Sequence, residues 1–189
     1  MSNYKDSRLL RKELVKTNNI FESLKFFRVL VVSFIAFFVI AITIVRITTI
    51  NGNSMYPTMQ DGELALINIF DRYIEGIDRF DIVTVYDERE GLFLAKRVVA
   101  LPNETIQYKD DKLYINGECV EETFLDQSYI KSQTNNNSIN FTEDYGPLVL
   151  KENEYFLVGD NRRISIDSRR YGPYNKKDIV SNGIFVLMK

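Results

Sequence analysis

The sequence predicts a mainly β protein in which an N-terminal transmembrane helix precedes an antiparallel, partly closed β domain with a small inserted β lobe. One uncharged apolar run occupies residues 29–45. Beyond residue 50 the chain consists of short β-prone runs separated by turn residues. That part shows no long helical period, which favours antiparallel strands over packed helices.

The apolar run is VLVVSFIAFFVIAITIV, flanked by Arg28 and Arg46. At 1.5 Å per residue it spans about 25 Å, and residues 47–50 extend it toward the roughly 30 Å of a bilayer core. We therefore expect residues 29–50 to form a transmembrane anchor. One alternative is a buried core helix, but such a helix normally keeps a polar face. Another is a cleaved signal peptide, but the run is too long for an h-region and no small-x-small site follows it.

Charge is distributed unevenly along the chain. Residues 1–28 carry seven Lys or Arg and three Asp or Glu, whereas residues 29–189 carry 17 and 23. A basic segment before an apolar run is retained in the cytoplasm by the positive-inside rule. We expect residues 1–28 to be cytoplasmic, the chain to cross the cell membrane once, and residues 51–189 to form an extracytoplasmic domain. The acidic body argues against nucleic acid as a partner.

The β-prone runs are ELALINIF, DIVTVYD, LFLAKRVVAL, ETIQYKD, KLYINGECV, EYFLVGD and IVSNGIFVLM. Asn116-Gly117 lies between alternating residues and predicts a type I′ hairpin. The polar stretch from Gln127 to Asn140 predicts an exposed loop within an inserted lobe at about residues 105–152. The single cysteine, Cys119, is expected to fill space on a strand rather than to react.

The chain contains no histidine, so neither a Ser-His-Asp triad nor a His-containing zinc site can form. Ser54 lies in NGNSMYPTM, directly after the apolar run, and would need another base to act as a nucleophile. A lysine whose pKa is lowered by burial can be that base, and Lys96 lies between apolar residues in LFLAKRVVAL. Each residue also has an ordinary interpretation, Ser54 as a turn former and Lys96 as a solvent-facing strand residue.

A third segment, GDNRRISIDSRRYGP, follows the apolar EYFLV. Its composition is typical of a solvated loop. If a strand end anchors it, its charged residues can form half-buried ion pairs that hold a site rigid, and Arg97 can join them. These charged residues are Asp160, Arg162, Asp167 and Arg169.

Together the segments resemble the type I signal peptidase family, in its smaller single-anchor, Gram-positive type. The matching stretches behind the apolar run are SMYPTM, KRVVALP and GDNR, followed by Ser165, Asp167, Ser168, Arg169 and Gly172. DIVTVYD and LYINGE also match, so the resemblance covers nearly the whole chain from residue 29.

The resemblance implies a membrane-bound serine endopeptidase that removes N-terminal signal peptides from secreted preproteins, without a cofactor or a metal. Ser54 is then the nucleophile, Lys96 the general base, and Ser165 the group that orients the lysine amine through a hydrogen bond. In the family the oxyanion hole uses the nucleophile's N–H, in some members with a serine hydroxyl two residues upstream. Here that position is Gly52, so the hole must rest on backbone donors at Gly52 and Ser54.

Family substrates carry small residues at the first and third positions before the cut and bind as an added β-strand. Ile50 and Met55, beside the nucleophile, are candidates for lining the small apolar pocket. Two departures from the family pattern concern the turn after the lysine strand rather than the chemistry. They are Ala100 in place of glycine and Asn103-Glu104 in place of Gly-Asp.

Two other functions were weighed against this one. A self-cleaving Ser-Lys repressor of related fold needs DNA-binding helices, and residues 1–28 are too short for a helix-turn-helix domain. An inactive membrane-tethered β module would be expected to have lost one of Ser54, Lys96 and Ser165. The expected partners are secreted preproteins and membrane lipid, and the sequence leaves open whether the basic segment binds the translocation machinery.

Overall fold

The computed structural model describes residues 20–39, 45–68, 76–134 and 139–188. The chain divides into two units, Met1–Ile44 and Val45–Lys189. In the first unit, residues 20–39 form helix α1. Among the described residues, no helix combines the length and the apolar character needed to cross a bilayer.

The range expected to be one anchor, residues 29–50, is divided in the structure. Its first part, to residue 39, belongs to α1, and residues 40–44 lie outside the described residues. Val45–Thr49 form strand β1, which pairs antiparallel with β2, Leu64–Asn68. Four of the five β1 residues are β-branched, which favours a strand. The carboxyl end of the expected anchor is therefore corrected, because this segment belongs to a sheet.

The second unit is built from antiparallel sheets, as predicted. The strands of its central sheet are β3, Ile82–Asp87; β4, Leu92–Ala100; β9, Glu154–Val158; β10, Tyr174–Asn175; and β11, Ile179–Asn182. Their order in the sheet is β10-β9-β4-β3-β11. Strand β12, Ile184–Met188, completes a second sheet of order β1-β2-β12. The central sheet holds the strand that carries Lys96.

A third sheet forms the inserted lobe. Its strands are β5, Thr105–Lys109; β6, Lys112–Ile115; β7, Glu118–Val120; and β8, Tyr145–Val149, in the order β7-β6-β5-β8. Because β4 pairs directly with β9, the lobe is an insertion between them, close to the expected bounds. Asn116 and Gly117 have φ of 52° and 85°, which confirms the type I′ hairpin. Cys119 is exposed on β7, so its expected role as a filler is wrong.

The stretch from Gln127 to Asn140, expected to be an exposed loop, contains a helix instead. Gln127–Gln133 form α2, and the Asp126 side chain accepts the Tyr129 N–H at 2.8 Å as its N-cap. Residues 135–138 lie outside the described residues. The Asp126 cap satisfies a backbone N–H at the start of the helix that water would otherwise satisfy. The polar composition of the stretch does not show that this capped helix forms.

Strand β9 separates two apolar cores. Tyr155 and Leu157 belong to one buried cluster, whereas Phe156 and Val158 belong to the other. Successive side chains of a strand point to opposite faces, so a strand buried on both faces has a continuous apolar sequence. The loop that follows this strand therefore starts from a rigid base.

Gly183 connects the central sheet to the second sheet. It lies between β11 and β12, has a φ of 94°, and donates its N–H to the Ile82 carbonyl at 3.1 Å. Glycine accepts this backbone conformation without steric cost. The chain passes here from one sheet to the other and joins the two along one side.

Candidate active site

Ser54 lies half-buried in the turn between β1 and β2. Two backbone hydrogen bonds close the base of this turn. The Ile50 N–H donates to the Glu63 carbonyl at 2.8 Å, and the Gly62 N–H donates to the Ile50 carbonyl at 2.9 Å. The turn that carries Ser54 is therefore held in one conformation at its base by backbone hydrogen bonds.

Lys96 extends from β4 to Ser54. Its Nζ lies 2.9 Å from the Ser54 Oγ, and the lysine is only 2% exposed. Burial lowers the pKa of Lys96 to about 8, while the charge of Asp167 acts against this shift and that of Arg169 adds to it. Near neutral pH an appreciable fraction of the amine is therefore unprotonated and able to accept the serine proton. The structure brings these two predicted residues together.

Gly52 does not offer its N–H to the site. That N–H donates to the Asp61 Oδ1 at 2.7 Å, and the φ of Gly52 is 87°. By contrast, no described residue accepts a hydrogen bond from the Ser54 N–H. The expectation of backbone donors at both positions is corrected, because Gly52 shapes the turn and Ser54 alone keeps an available donor.

Ser165 does not make the hydrogen bond to Lys96 that the resemblance implied. Its hydroxyl is buried and, among the described residues, has no partner in hydrogen-bond geometry. It is close enough to the Asp167 carboxylate to contribute to the lowering of that group's pKa. Ser165 still belongs to the site, since a Cβ on Gly159 would collide with both its hydroxyl and the Ser54 carbonyl. Only glycine lets the two serine-bearing turns approach this closely.

Arg97 and Asp160 form a buried, bidentate ion pair; the sequence predicted ion pairs among these residues but not which ones pair. The Arg97 Nε lies 2.8 Å from the Asp160 Oδ1, and its Nη2 lies 2.6 Å from the Oδ2. The Thr58 hydroxyl also donates to this carboxylate, at 2.5 Å. One carboxylate thus connects the lysine strand, the loop after β9 and the turn that carries the serine.

Asp167 and Arg169 form a second ion pair, a pairing that the sequence did not specify. The Arg169 Nε and Nη2 each lie 2.9 Å from the Asp167 carboxylate, which also accepts the Gly159 N–H at 3.0 Å. Burial alone would raise the pKa of Asp167, but these donors outweigh it and hold the pKa below its usual value. The carboxylate therefore stays ionised and fixes the loop.

Arg162 ties the same loop to the inserted lobe through Glu122, a partner that the sequence did not reveal. Its Nη1 and Nη2 lie 3.1 Å and 2.6 Å from the Glu122 carboxylate. Its Nε donates to the Gly159 carbonyl at 3.1 Å. The lobe therefore supports the backbone at the centre of the site.

Asn161 also contacts the serine turn, although its place in the GDNR motif suggested no role. Its backbone N–H donates to the Ser54 carbonyl at 3.0 Å, and its Nδ2 donates to the Asn53 carbonyl at 3.1 Å. Asn161 and Thr58 are polar residues in contact with the serine turn or its ion pair that the sequence analysis did not single out. Their only sequence signal was membership of the matching stretches.

A cleft of about 230 Å³ opens beside Ser54. Ile50 and Met55, the two residues expected near the substrate, are among those that line it. Its wall includes further residues that the sequence analysis did not name, among them Ala65, Thr84, Leu94, Ala95 and Ile184. The walls of the cleft are mainly apolar, which suits uncharged side chains.

Comparison with known proteins relates this geometry to a family. The family described as "Signal peptidase, peptidase S26" matches residues 23–188. Signal peptidase I P of Bacillus subtilis subsp. natto is 34% identical over 170 residues, which cover 89% of each chain. Signal peptidase I V of Bacillus subtilis (strain 168) is 42% identical over 137 residues, 69% of this chain and 79% of its own. The crystal structure of a signal peptidase I from Enterococcus faecalis V583 has a TM-score of 0.47 and 36% identity, covering 59% of this chain and 96% of that one.

Replacing Glu122 with glutamine should destabilise the fold. The change leaves the buried Arg162 guanidinium without its carboxylate, and breaking a buried pair in this way costs about 3–5 kcal/mol of unfolding free energy. Glu121→Gln is the matched control, because Glu121 is exposed. Thermal unfolding of the two full-length variants and the wild type measures the difference. Equal melting temperatures for the two variants would show that the pair does not stabilise the protein.

Proposed function

The chain belongs to the signal peptidase family, peptidase S26, and on that premise we propose that it cuts signal peptides from secreted preproteins with Ser54 as nucleophile and Lys96 as general base. The observation that carries this assignment is the 2.9 Å approach of a buried lysine amine to the serine hydroxyl. A lysine whose pKa is lowered to about 8 can act as a base near neutral pH, which an ordinary lysine cannot. The enzyme is a serine peptidase, a hydrolase.

In the first half of the reaction, the neutral Lys96 amine takes the Ser54 proton while the Oγ attacks the carbonyl carbon of the scissile bond. The oxygen of the tetrahedral intermediate becomes negative, and the available Ser54 N–H is its donor. The lysine ammonium then gives its proton to the leaving nitrogen as the C–N bond breaks. The signal peptide remains as an ester on Ser54, and the mature protein leaves.

In the second half, water gives a proton to Lys96 and attacks the ester carbonyl. The C–O bond to the serine breaks, the proton returns to the Ser54 Oγ, and the signal peptide leaves with a free carboxylate. The carboxylates of Asp160 and Asp167 are already engaged by Arg97 and Arg169. This supports the lysine as the base and gives the ion pairs a positioning role.

The substrate segment is proposed to bind in an extended conformation along open strand edges. β4 pairs with β9 only from Arg97 onward, so within the described part of the chain residues 92–96 have no partner strand on that side. Strand β1 lies at an edge of its own sheet. Alternate residues of a strand face the same side, so the residues at −1 and −3 can both enter the cleft lined by Ile50 and Met55. The mainly apolar walls support uncharged residues at both positions, and the family resemblance implies that these residues are small.

We also propose that the protein is anchored once in the cell membrane, in contact with its lipid, with the N-terminus in the cytoplasm. The support is the uncharged apolar run that starts at Val29 and the excess of basic residues before it. Because β1 begins at Val45, the anchor ends earlier than the sequence alone indicated. The catalytic unit then follows directly on the outer side, where preproteins emerge. Binding of the basic segment to the translocation machinery is a further hypothesis.

Ser54→Ala and Lys96→Met should each lower preprotein processing at least about 10³-fold, since each removes one member of a pair that acts as a unit. Methionine fills the space of the buried lysine without a charge, so the fold should persist. Lys151→Met is the matched control, because the Lys151 side chain is 85% exposed. The assay follows cleavage of one preprotein by the full-length enzyme and sequences the new N-terminus. Wild-type activity in either site variant would refute the assignment of the pair.

The membrane orientation predicts opposite protease sensitivity for the two ends of the chain. In cells stripped of their wall, added protease should digest a C-terminal epitope tag and leave an N-terminal tag intact. Permeabilised cells, in which both tags should be lost, are the control. Protection of the C-terminal tag together with loss of the N-terminal tag would reverse the proposed topology.

A further inference from the structure

We propose that Asn161 is a positioning residue that sets the direction of the Ser54 N–H, the donor to the negative oxygen of the tetrahedral intermediate. The inference rests on the proposed function, since it takes Ser54 as the nucleophile. It assigns Asn161 a role in transition-state stabilisation without direct contact with the substrate.

The argument starts from the peptide group between Asn53 and Ser54. The Asn53 carbonyl and the Ser54 N–H belong to one planar unit, and in this trans peptide they point in opposite directions. The Asn161 Nδ2 donates to that carbonyl at 3.1 Å. Fixing the carbonyl on one side of the plane therefore fixes the direction of the N–H on the other.

A second donor to the same carbonyl comes from within the turn. The Tyr56 N–H lies 3.2 Å from the Asn53 carbonyl, so this bond moves with the turn. Asn161 belongs instead to the loop after β9, whose strand is buried on both faces. Its amide therefore holds the peptide plane relative to the central sheet. Its backbone N–H also holds the Ser54 carbonyl, at 3.0 Å, so the carbonyls on both sides of the nucleophile are fixed.

Asn161 is itself immobilised. It is 4% exposed, and its carbonyl accepts the N–H groups of Ser165 at 2.9 Å and Ile164 at 3.2 Å. Its neighbour Asp160 is held by the ion pair to Arg97. The Asn161 Oδ1 is buried without a partner among the described residues.

This arrangement has a specific kinetic consequence. A donor directed at the intermediate stabilises the transition state and contributes little to binding of the uncleaved substrate. Loss of Asn161 should therefore lower kcat and leave KM nearly unchanged, whereas damage to the cleft would raise KM. Replacement by a neutral residue should also leave the pH midpoint of activity in place.

The test uses the full-length enzyme and a peptide substrate with alanine at −1 and −3. In Asn161→Ala, kcat should fall about 10- to 100-fold, with KM changed less than about twofold. A peptide aldehyde of the same sequence, which forms a tetrahedral adduct on serine, should lose affinity by the same factor as kcat/KM. The matching peptide alcohol forms no adduct and should bind as it does to the wild type. Asn153→Ala, at an exposed position, is the control.

A second variant, Asn161→Asp, keeps the size of the side chain and replaces the donor with an acceptor. Its kcat should fall at least as far. The measurement is made on the high-pH plateau, where Lys96 is unprotonated and the added charge cannot lower kcat by changing its protonation. Asn153→Asp, at an exposed position, controls for the change in net charge alone. Unchanged kcat in both Asn161 variants, or equal losses for aldehyde and alcohol, would overturn the inference. A wild type that does not bind the aldehyde, or an active Ser54→Ala, would instead overturn the proposed function.

Discussion

The burial of the Lys96 amine against the Ser54 hydroxyl is the constraint on which the site depends. Removing an ammonium group from water costs free energy. Burial therefore shifts the protonation equilibrium of Lys96 toward the neutral amine. This requires a dry position on a rigid strand. β4 supplies it, because the strand is buried on both faces immediately after Lys96, where Val98 and Val99 enter opposite cores. A site on a mobile loop would admit water and return the lysine to its ordinary pKa.

The other polar groups of the site keep this contact in place. The serine turn, the lysine strand and the loop after β9 come from distant parts of the sequence and meet at Asp160. Gly159 permits the close approach, and Arg162 carries the support outward to Glu122 in the lobe. The inserted lobe therefore has a physical link to the chemistry, although it contributes none of the reacting groups.

Much of this architecture follows from local sequence pattern. Short β-prone runs bounded by turn residues predicted the main strands of the central sheet, and Asn116-Gly117 predicted the β6–β7 hairpin of the lobe, because both signals depend on neighbouring residues. The sequence places Val45–Thr49 in the membrane because these residues extend an apolar run that is slightly short of a bilayer core, whereas their β-branched side chains also favour a strand. The pairing of Arg162 with Glu122 could not be predicted, because many charges were available to each. Such contacts are set by the folded chain, and one sequence does not record them.

The same contrast between local sequence signals and contacts set by the folded chain holds for the site residues. Ser54, Lys96 and the charged residues of the site could be named from the sequence because they stand in stretches with a recognisable order, whereas the pairing of the charges could not. The hydrogen bond expected of Ser165 is absent among the described residues, and the Gly52 N–H is taken by Asp61. Both corrections concern hydrogen-bond direction, which depends on side-chain rotation and peptide orientation rather than on residue type.

The pH dependence of kcat/KM on the peptide with alanine at both recognition positions tests the central claim most directly. Because the base must be unprotonated, and burial lowers the pKa of Lys96 to about 8, activity should rise with pH through a single midpoint near that value. The rise should be about tenfold per pH unit below the midpoint, where the neutral amine is the minor form. A profile already at its plateau near pH 6, with an acidic limb near pH 4 to 5 typical of a carboxylate, would contradict the lysine as the base.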